Sequence, residues 1–293
     1  MQGIKTILNR REFIKSIAAI SLYSKFGSIL KAESKTRVIL IREKEATDFK
    51  MRPNAAVVGD MIDKAICALN YEKDVKKAWS KLFKPNDIVG IKSNVWSLLP
   101  TPAEVENALI KRLTEIGIKR ENISVDDRGV LSNNVFKEAT ALINVRPLRT
   151  HYWAGVGGCI KNYIMFVESP SDYHPNYCSP LGKIWKMPFL KGKTRLNILV
   201  VLTPLFYGVG PHHYNAKYVW TYNGLLVGFD PVALDSVGVE ILKAKRRIFF
   251  GREVPFNPPP IHIIAADKEH NIGVSDINRI YIEHIGYTDD ILI

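Results

Sequence analysis

The chain has 293 residues, a formal net charge of +12, 46% hydrophobic residues and 10% aromatic residues. This composition is typical of a globular protein with one or two cores, and it excludes an intrinsically disordered chain. The three cysteines, Cys67, Cys159 and Cys178, are too few and too scattered for an iron–sulfur cluster or a C-x-x-C zinc site, so no iron–sulfur cofactor is expected. Whether Cys159 and Cys178 form a disulfide stays open at this stage.

Residues 1–32 resemble a twin-arginine export signal. Arg10 and Arg11 precede Phe13-Ile14-Lys15, a weakly apolar run and the small residue Ala32. The apolar run is too short to span a bilayer of about 30 Å, so no permanent membrane span is expected. We therefore predict a signal peptide over 1–32, an α/β domain over 33–293, the twin-arginine translocase as partner during export, and a periplasmic or extracytoplasmic location reached by the folded protein. A basic amphipathic helix on a cytosolic protein is the alternative.

The predicted signal holds part of the positive charge, and residues 33–293 retain a net charge of about +7. A basic surface attracts nucleic acid in many proteins, but an exported protein rarely meets any, so no nucleic-acid partner is expected. Small anionic molecules, lipid headgroups and envelope polymers are better candidates. An ordinary solvated basic surface explains the charge equally well.

The elements predicted along the chain alternate between strands and helices, which indicates a mostly parallel α/β sheet flanked by helices. Proline and glycine mark several of their ends. The predicted strands are 37–42, 87–92, 122–125, 141–145, 196–202, 224–229 and 279–284, and the predicted helices are 55–69, 74–83, 101–116, 230–242 and 261–269.

Residues 151–193 break this alternation. They are rich in aromatic residues, proline and glycine, and predict a long irregular insertion folded over the sheet. Its aromatic content argues against disorder. His174 within it is a candidate single metal ligand, with an ordinary surface histidine as the alternative.

Three polar clusters follow predicted strands: Lys92 with Asn94, Asp126 with its neighbours, and Arg149 with His151. In open α/β sheets, ligands bind beyond the carboxyl ends of the strands. These groups are therefore expected to converge on an anionic substrate, with Lys92, Asn94, Asp126 and Arg149 binding it. Loop caps or surface salt bridges are the alternative for each cluster.

Glycines at 155, 157 and 158 lie between His151 and Lys161. Gly157 and Gly158 are expected to bring backbone close to a ligand. The spacing matches neither the dinucleotide fingerprint nor a phosphate-binding loop. His151 suits proton transfer, and a partly buried Lys161 suits a nucleophile or base, so both are predicted to be catalytic. A glycine-rich turn with a surface lysine is the alternative.

Several of these stretches together resemble a family known only by number, domain-of-unknown-function family 362. The chain departs from the family pattern at Ser93, where proline is usual, and at Arg149, where lysine is frequent. Some members carry an added ferredoxin-type domain, for which this chain lacks the cysteines. The matching stretches are 83–94, 101–105, 143–151, 161–162, 229–235 and 271–274.

A weaker resemblance links His151, the glycines and Lys161 to the histidine–glycine–lysine segment of nickel-pincer lactate racemases. It implies that Lys161 anchors an organometallic cofactor, that His151 moves a proton, and that His174 is a metal ligand. No second catalytic histidine stands at a matching position in this chain.

The function expected from the sequence is that of an exported α/β enzyme acting on a small anionic substrate by acid–base chemistry, with a metal or a lysine-anchored cofactor as candidates. The alternative is a non-catalytic periplasmic ligand-binding or maturation protein. A redox role is disfavoured because the cysteines are unsuitable.

Overall fold

The computed structural model describes residues 35–210 and 213–293, and the predicted export signal lies outside them. Thr36–Ile293 form one compact unit. None of the helices described in it is long and apolar enough to cross a membrane.

One eight-stranded sheet organises this unit. Its strand order is β3-β2-β4-β6-β7-β1-β8, with the short β5 paired to the end of β4. Six strands run in the same direction, whereas β7 and β5 run against their neighbours. The strands are β1 (Thr36–Arg42), β2 (Val89–Lys92), β3 (Ile123–Asp126), β4 (Ala141–His151), β5 (Gly155–Gly157), β6 (Thr194–Leu205), β7 (Gly224–Gly228) and β8 (Ile280–Gly286).

Helices cover both faces of the sheet, as the sequence predicted, and the fold class is confirmed. They are α1 (Ala55–Leu69), α2 (Val75–Leu82), α3 (Ala103–Glu115), α4 (Asn134–Glu138), α5 (Cys159–Asn162), α6 (Pro175–Cys178), α7 (Gly182–Trp185), α8 (Pro231–Phe250) and α9 (Ile261–Lys268).

Two apolar cores result, one on each face. Alternate residues of β1 show the division, since Ile39 and Ile41 pack toward α1, α2 and α3, whereas Val38 and Leu40 pack toward α8. The irregular insertion completes the second core with aromatic contacts, among them Tyr163 stacked on Trp185 with ring centroids 4.1 Å apart. The predicted aromatic-rich insertion is therefore packed over the sheet.

Local sequence explains most helix ends. The side chains of Asn54 and Asp74 accept backbone N–H groups at the starts of α1 and α2, and Asp230 does the same for α8. Gly251 ends α8 in the left-handed conformation.

The side chain of Thr101 does not cap α3, although the predicted helix began at this residue. Its hydroxyl accepts the N–H of Asn94 instead, and Pro102 stands at the N-cap without a side-chain hydrogen bond. Thr101 thus ties the loop after β2 to the start of the helix.

Two elements are longer than predicted. Strand β4 continues six residues past Val145, and α8 continues eight residues past Leu242. The charged residues Arg146 and Arg149 interrupt the apolar pattern of β4, yet both are buried in it. Arg246 in α8 is buried because its guanidinium donates to the carbonyl oxygens of Phe206 and Val254.

Candidate active site

The site lies where β4 continues past the carboxyl end of β2. Strand β2 pairs with β4 only as far as Lys92 opposite Asn144, and β3 ends level with it at Asp126. The edge of β4 that faced β2 is therefore left without a strand partner between Val145 and Leu148, before β5 pairs with it from Arg149 to His151. A cavity of about 280 Å³ occupies this position, at the carboxyl ends of the parallel strands.

The cavity brings together side chains from three strand ends and the insertion. Its lining includes His151 and Lys161, the two predicted catalytic residues, so they share one hollow. The other lining residues are Asn94, Trp96, Asp127, Arg128, Arg146, Arg149, Trp153, Asn162, Ile164, Met165, Pro170 and His174.

Lys92 lies beneath the cavity and does not line it. Its Nζ donates to Asp127 Oδ1 at 2.5 Å, to the Ser93 carbonyl oxygen at 2.7 Å and to Asn162 Oδ1 at 3.4 Å. Burial lowers the pKa of Lys92 to about 8, against the raising effect of Asp127. Because its three N–H groups already have acceptors, Lys92 holds Asp127 in place and leaves no donor for a ligand.

The structure places Asp126 away from the cavity and Asp127 inside it. The Asp126 carboxylate accepts the N–H of Gly129 and the side-chain amide of Asn133, which closes the turn after β3. Asp127 is buried, and besides Lys92 it accepts the N–H of Val95. Neighbouring residues at a strand end point in opposite directions, so only one of the pair can face the site.

Arg149 is held flat against one wall. Its Nη2 donates to Asn94 Oδ1 at 3.0 Å, and its Cζ lies 4.4 Å from the ring centroid of Trp96. Its Nε and Nη1 are buried without a hydrogen-bond partner among the described residues. Burial, followed by repulsion from Arg146, lowers the pKa of Arg149.

Arg146 is a functional candidate that the sequence reasoning missed, because it ended β4 at Val145. Its side chain is buried and lines the cavity, and its Nε has no hydrogen-bond partner among the described residues. Asp127 and Asp235 attract it but form no ion pair with it. Buried arginines usually have partners, so this one marks a place where an acceptor is missing.

His151 ends β4 and is oriented by the backbone. Its Nδ1 accepts the N–H of Trp153 at 3.2 Å, which places the hydrogen of a neutral ring on Nε2. Burial and the nearby charges of Lys161, Arg146 and Arg149 hold the pKa of His151 well below its usual range. The imidazole is therefore neutral at pH 7.

Lys161 lies on the short helix α5, whose start is held by a buried carboxylate. Asp235 on α8 accepts the N–H of Cys159 at 2.6 Å and that of Ile160 at 2.9 Å. Among the described residues, the only hydrogen-bond partner of Lys161 Nζ is Cys178 Sγ, at 3.7 Å, and both cysteines of the insertion are free thiols. Burial lowers the pKa of Lys161 to about 8.

Gly157 and Gly158 do not line the cavity, and each lies against a neighbouring charged side chain. A Cβ at Gly158 would lie 2.1 Å from Asp235 Oδ1, and a Cβ at Gly157 would lie 3.0 Å from Arg146 Nη2. Their lack of a side chain therefore makes room for the carboxylate and the guanidinium. Asp235 itself is fully buried, and burial raises its pKa to about 7.

His174 lies in the cavity wall with its ring against Trp153, at a centroid distance of 4.0 Å. Burial and the charge of Lys161 lower the pKa of His174 to about 4. Within residues 35–210 and 213–293, no three His, Cys, Asp or Glu side chains are grouped so as to hold a metal ion.

His262 is a fully buried histidine that the sequence analysis did not single out. It lies near Lys161, and burial lowers its pKa to about 3.

Residues 103–240 match the model of a family described as Domain of unknown function (DUF362). The matched segment contains Arg146, Arg149, His151 and Lys161, whereas Lys92 and Asn94 lie before it. No curated protein and no solved structure matches the chain. The family resemblance stated from the sequence is thus supported over residues 103–240.

Proposed function

We propose that this protein binds a small anionic molecule in the β4 cavity and exchanges a proton with it. The observation that carries the proposal is the set of buried guanidinium N–H groups of Arg146 and Arg149 that have no acceptor in the part of the chain that the structure describes. A buried donor without a partner costs about 1–3 kcal/mol, so such groups are retained where a ligand supplies the acceptor. Carboxylate and phosphate oxygens are the acceptors that arginine binds best.

The tautomer of His151 and the lowered pKa of Lys161 assign a different role to each residue. Neutral His151 presents Nε2–H as a donor, because its Nδ1 is occupied by the Trp153 N–H. Lys161, with its pKa lowered to about 8, is a free amine in about a tenth of the molecules at pH 7, and that form can accept a proton. The reaction class proposed is proton abstraction by Lys161 next to an anionic group, with His151 donating a hydrogen bond to the charge that develops.

The proposal is tested by exchange in heavy water. A panel of small carboxylates and phosphate esters is incubated with the protein in D2O, and loss of C–H proton resonances is followed by NMR. We expect exchange for at least one compound, and its loss in Lys161→Met and His151→Gln. Lys183→Met, which removes an exposed lysine of the same insertion, is the matched control and should exchange at the wild-type rate.

The outcomes separate the two functions that the sequence left open. Exchange that survives in both cavity variants refutes the catalytic roles. Binding of an anion without exchange by the wild type supports the non-catalytic ligand-binding protein. A wild-type protein that neither binds nor exchanges any anion refutes the anion site itself.

The resemblance to nickel-pincer lactate racemases adds a cofactor to this proposal. Lys161 fits an anchoring role, because its amine is buried, lowered in pKa and free of any carboxylate partner among the described residues. A bound organometallic cofactor would supply electron-accepting chemistry at the same cavity. Intact mass and elemental analysis of protein from its own host test this: a mass adduct on Lys161 supports it, and an unmodified, metal-free chain that is active refutes it.

Export in the folded state is proposed from Arg10 and Arg11. The double variant Arg10→Lys with Arg11→Lys keeps the charge but not the paired guanidinium groups. We expect the variant to accumulate in the cytoplasmic fraction while the wild type reaches the periplasm. Equal distribution of the two refutes the twin-arginine route.

A further inference from the structure

The charges of the side chains around the cavity indicate the net charge of its ligand. This inference about the ligand's charge rests on the anion site proposed above. Lys92 and Asp127 form a buried ion pair and cancel each other. Three buried cations remain without an ion-pair partner among the described residues: Arg146, Arg149 and Lys161.

Only one buried carboxylate stands against these three cations. Asp235 attracts Arg146, but both of its oxygens are hydrogen-bonded to the backbone of α5. Arg128 also lines the cavity, but it is exposed, and water screens its charge. Three cations and one anion leave the enclosed region with a net charge of about +2 when all four groups are ionised.

We infer that the ligand is a small dianion, whose two charges together neutralise this excess. An unpaired buried charge destabilises the folded protein. Burial accordingly lowers the pKa of Lys161 to about 8, which favours its uncharged form. A monoanion would leave one buried cation uncompensated. A dianion gives both guanidinium groups an acceptor and neutralises the excess charge that is present when Lys161 is protonated.

The size of the cavity limits the class further. About 280 Å³ holds a molecule of a few carbon atoms but not a nucleotide. Trp96 and Trp153 form apolar walls, and the guanidinium of Arg149 already covers the face of Trp96. The ligand class is therefore a short dicarboxylate or a small phosphate ester.

Matched pairs of probes test the charge without changing the skeleton. Succinate is compared with succinamate, malonate with malonamate, and glycerol 3-phosphate with its methyl ester, by isothermal titration calorimetry at pH 7 and constant ionic strength. Each pair differs by one negative charge. We expect the dianion to bind about tenfold more tightly or better in at least one pair, which corresponds to about 1.4 kcal/mol.

Two variants locate the effect. Arg146→Met removes one uncompensated cation and should reduce the dianion preference to less than about threefold. Arg252→Gln removes an exposed arginine outside the cavity and should leave the preference unchanged. Equal binding within every pair overturns the dianion but leaves the anion site standing, whereas no binding of any probe overturns both. A dianion preference that persists in Arg146→Met also overturns the inference.

Discussion

Replacing Arg146 with methionine is expected to make the ligand-free protein more stable. The guanidinium of Arg146 is buried at 4% exposure with its Nε unpaired, and attraction to Asp127 and Asp235 offsets only part of that cost. Methionine fills a similar length with apolar atoms and removes the desolvated charge. Its expected gain in the free energy of unfolding is about 1–3 kcal/mol, the usual cost of an unsatisfied buried polar group.

Arg246 provides the matched control, because it is equally buried, at 3% exposure, but fully partnered. Its guanidinium donates to the carbonyl oxygens of Phe206 and Val254 and lies 3.8 Å from the ring centroid of Phe256. Arg246→Met leaves those carbonyl oxygens without donors. We expect it to lower the free energy of unfolding by about 2–4 kcal/mol.

Urea denaturation, followed by circular dichroism on extensively dialysed protein, measures both changes. Urea is preferred to guanidinium chloride because it adds no chloride that could occupy the cavity. For a domain of this size, each 1 kcal/mol also moves the melting temperature by about 2–4 °C. A loss of stability in Arg146→Met as large as that in Arg246→Met would show that Arg146 has a partner in the folded chain, and the reasoning about the cavity would be refuted.

Two further predictions concern the support of Lys161. Gly158→Ala would place a Cβ 2.1 Å from Asp235 Oδ1, and by displacing a carboxylate that holds two N–H groups it should lower the free energy of unfolding by about 3 kcal/mol. Gly59→Ala on α1 would place a Cβ in ordinary contact with the Ala108 side chain, at 3.9 Å, and should change the free energy of unfolding by less than about 1 kcal/mol in the same denaturation assay. Lys161 has a folded pKa of about 8, below its usual 10.5, so the unfolded chain binds more protons between these values and stability should rise with pH across that window. Denaturation at pH 8, 9 and 10 should show a smaller rise in Lys161→Met, and equal slopes in the two proteins would contradict the assigned pKa. The slope that remains in the variant combines a rise from Lys92 with a fall from Cys159 and Cys178, because burial raises the pKa values of these thiols.

Much of the fold follows from short-range patterns. The apolar periodicity of 55–69 predicted the bounds of α1, and Asp230-Pro231 predicted the start of α8, because capping and helical spacing are properties of neighbouring residues. The end of β4 could not be found this way. Arg146 and Arg149 look like the polar stop of a strand, and only packing against β5, β6 and the insertion keeps them inside it.

In the candidate site, too, some features follow from short-range sequence patterns and others depend on tertiary packing. His151, Lys161, Arg149 and Asn94 were predicted to share a site because polar residues after parallel strands meet at one edge of a sheet, and all four line the cavity. Asp127 lines it in place of the predicted Asp126, because the residue at which β3 ends decides which of the two faces the cavity.

By itself, the sequence determined the α/β class, the order of the elements and the strand tips that meet at the cavity, because these depend on periodicity and on residues adjacent in the chain. The tertiary structure alone decided which charges are paired. Lys92 pairs with Asp127 from the next strand, and Asp235 reaches α5 from α8 through the space at Gly158. Arg146 has no carboxylate partner within residues 35–210 and 213–293. Ion pairing depends on distances between residues far apart in the chain, and those distances exist only once the sheet has formed.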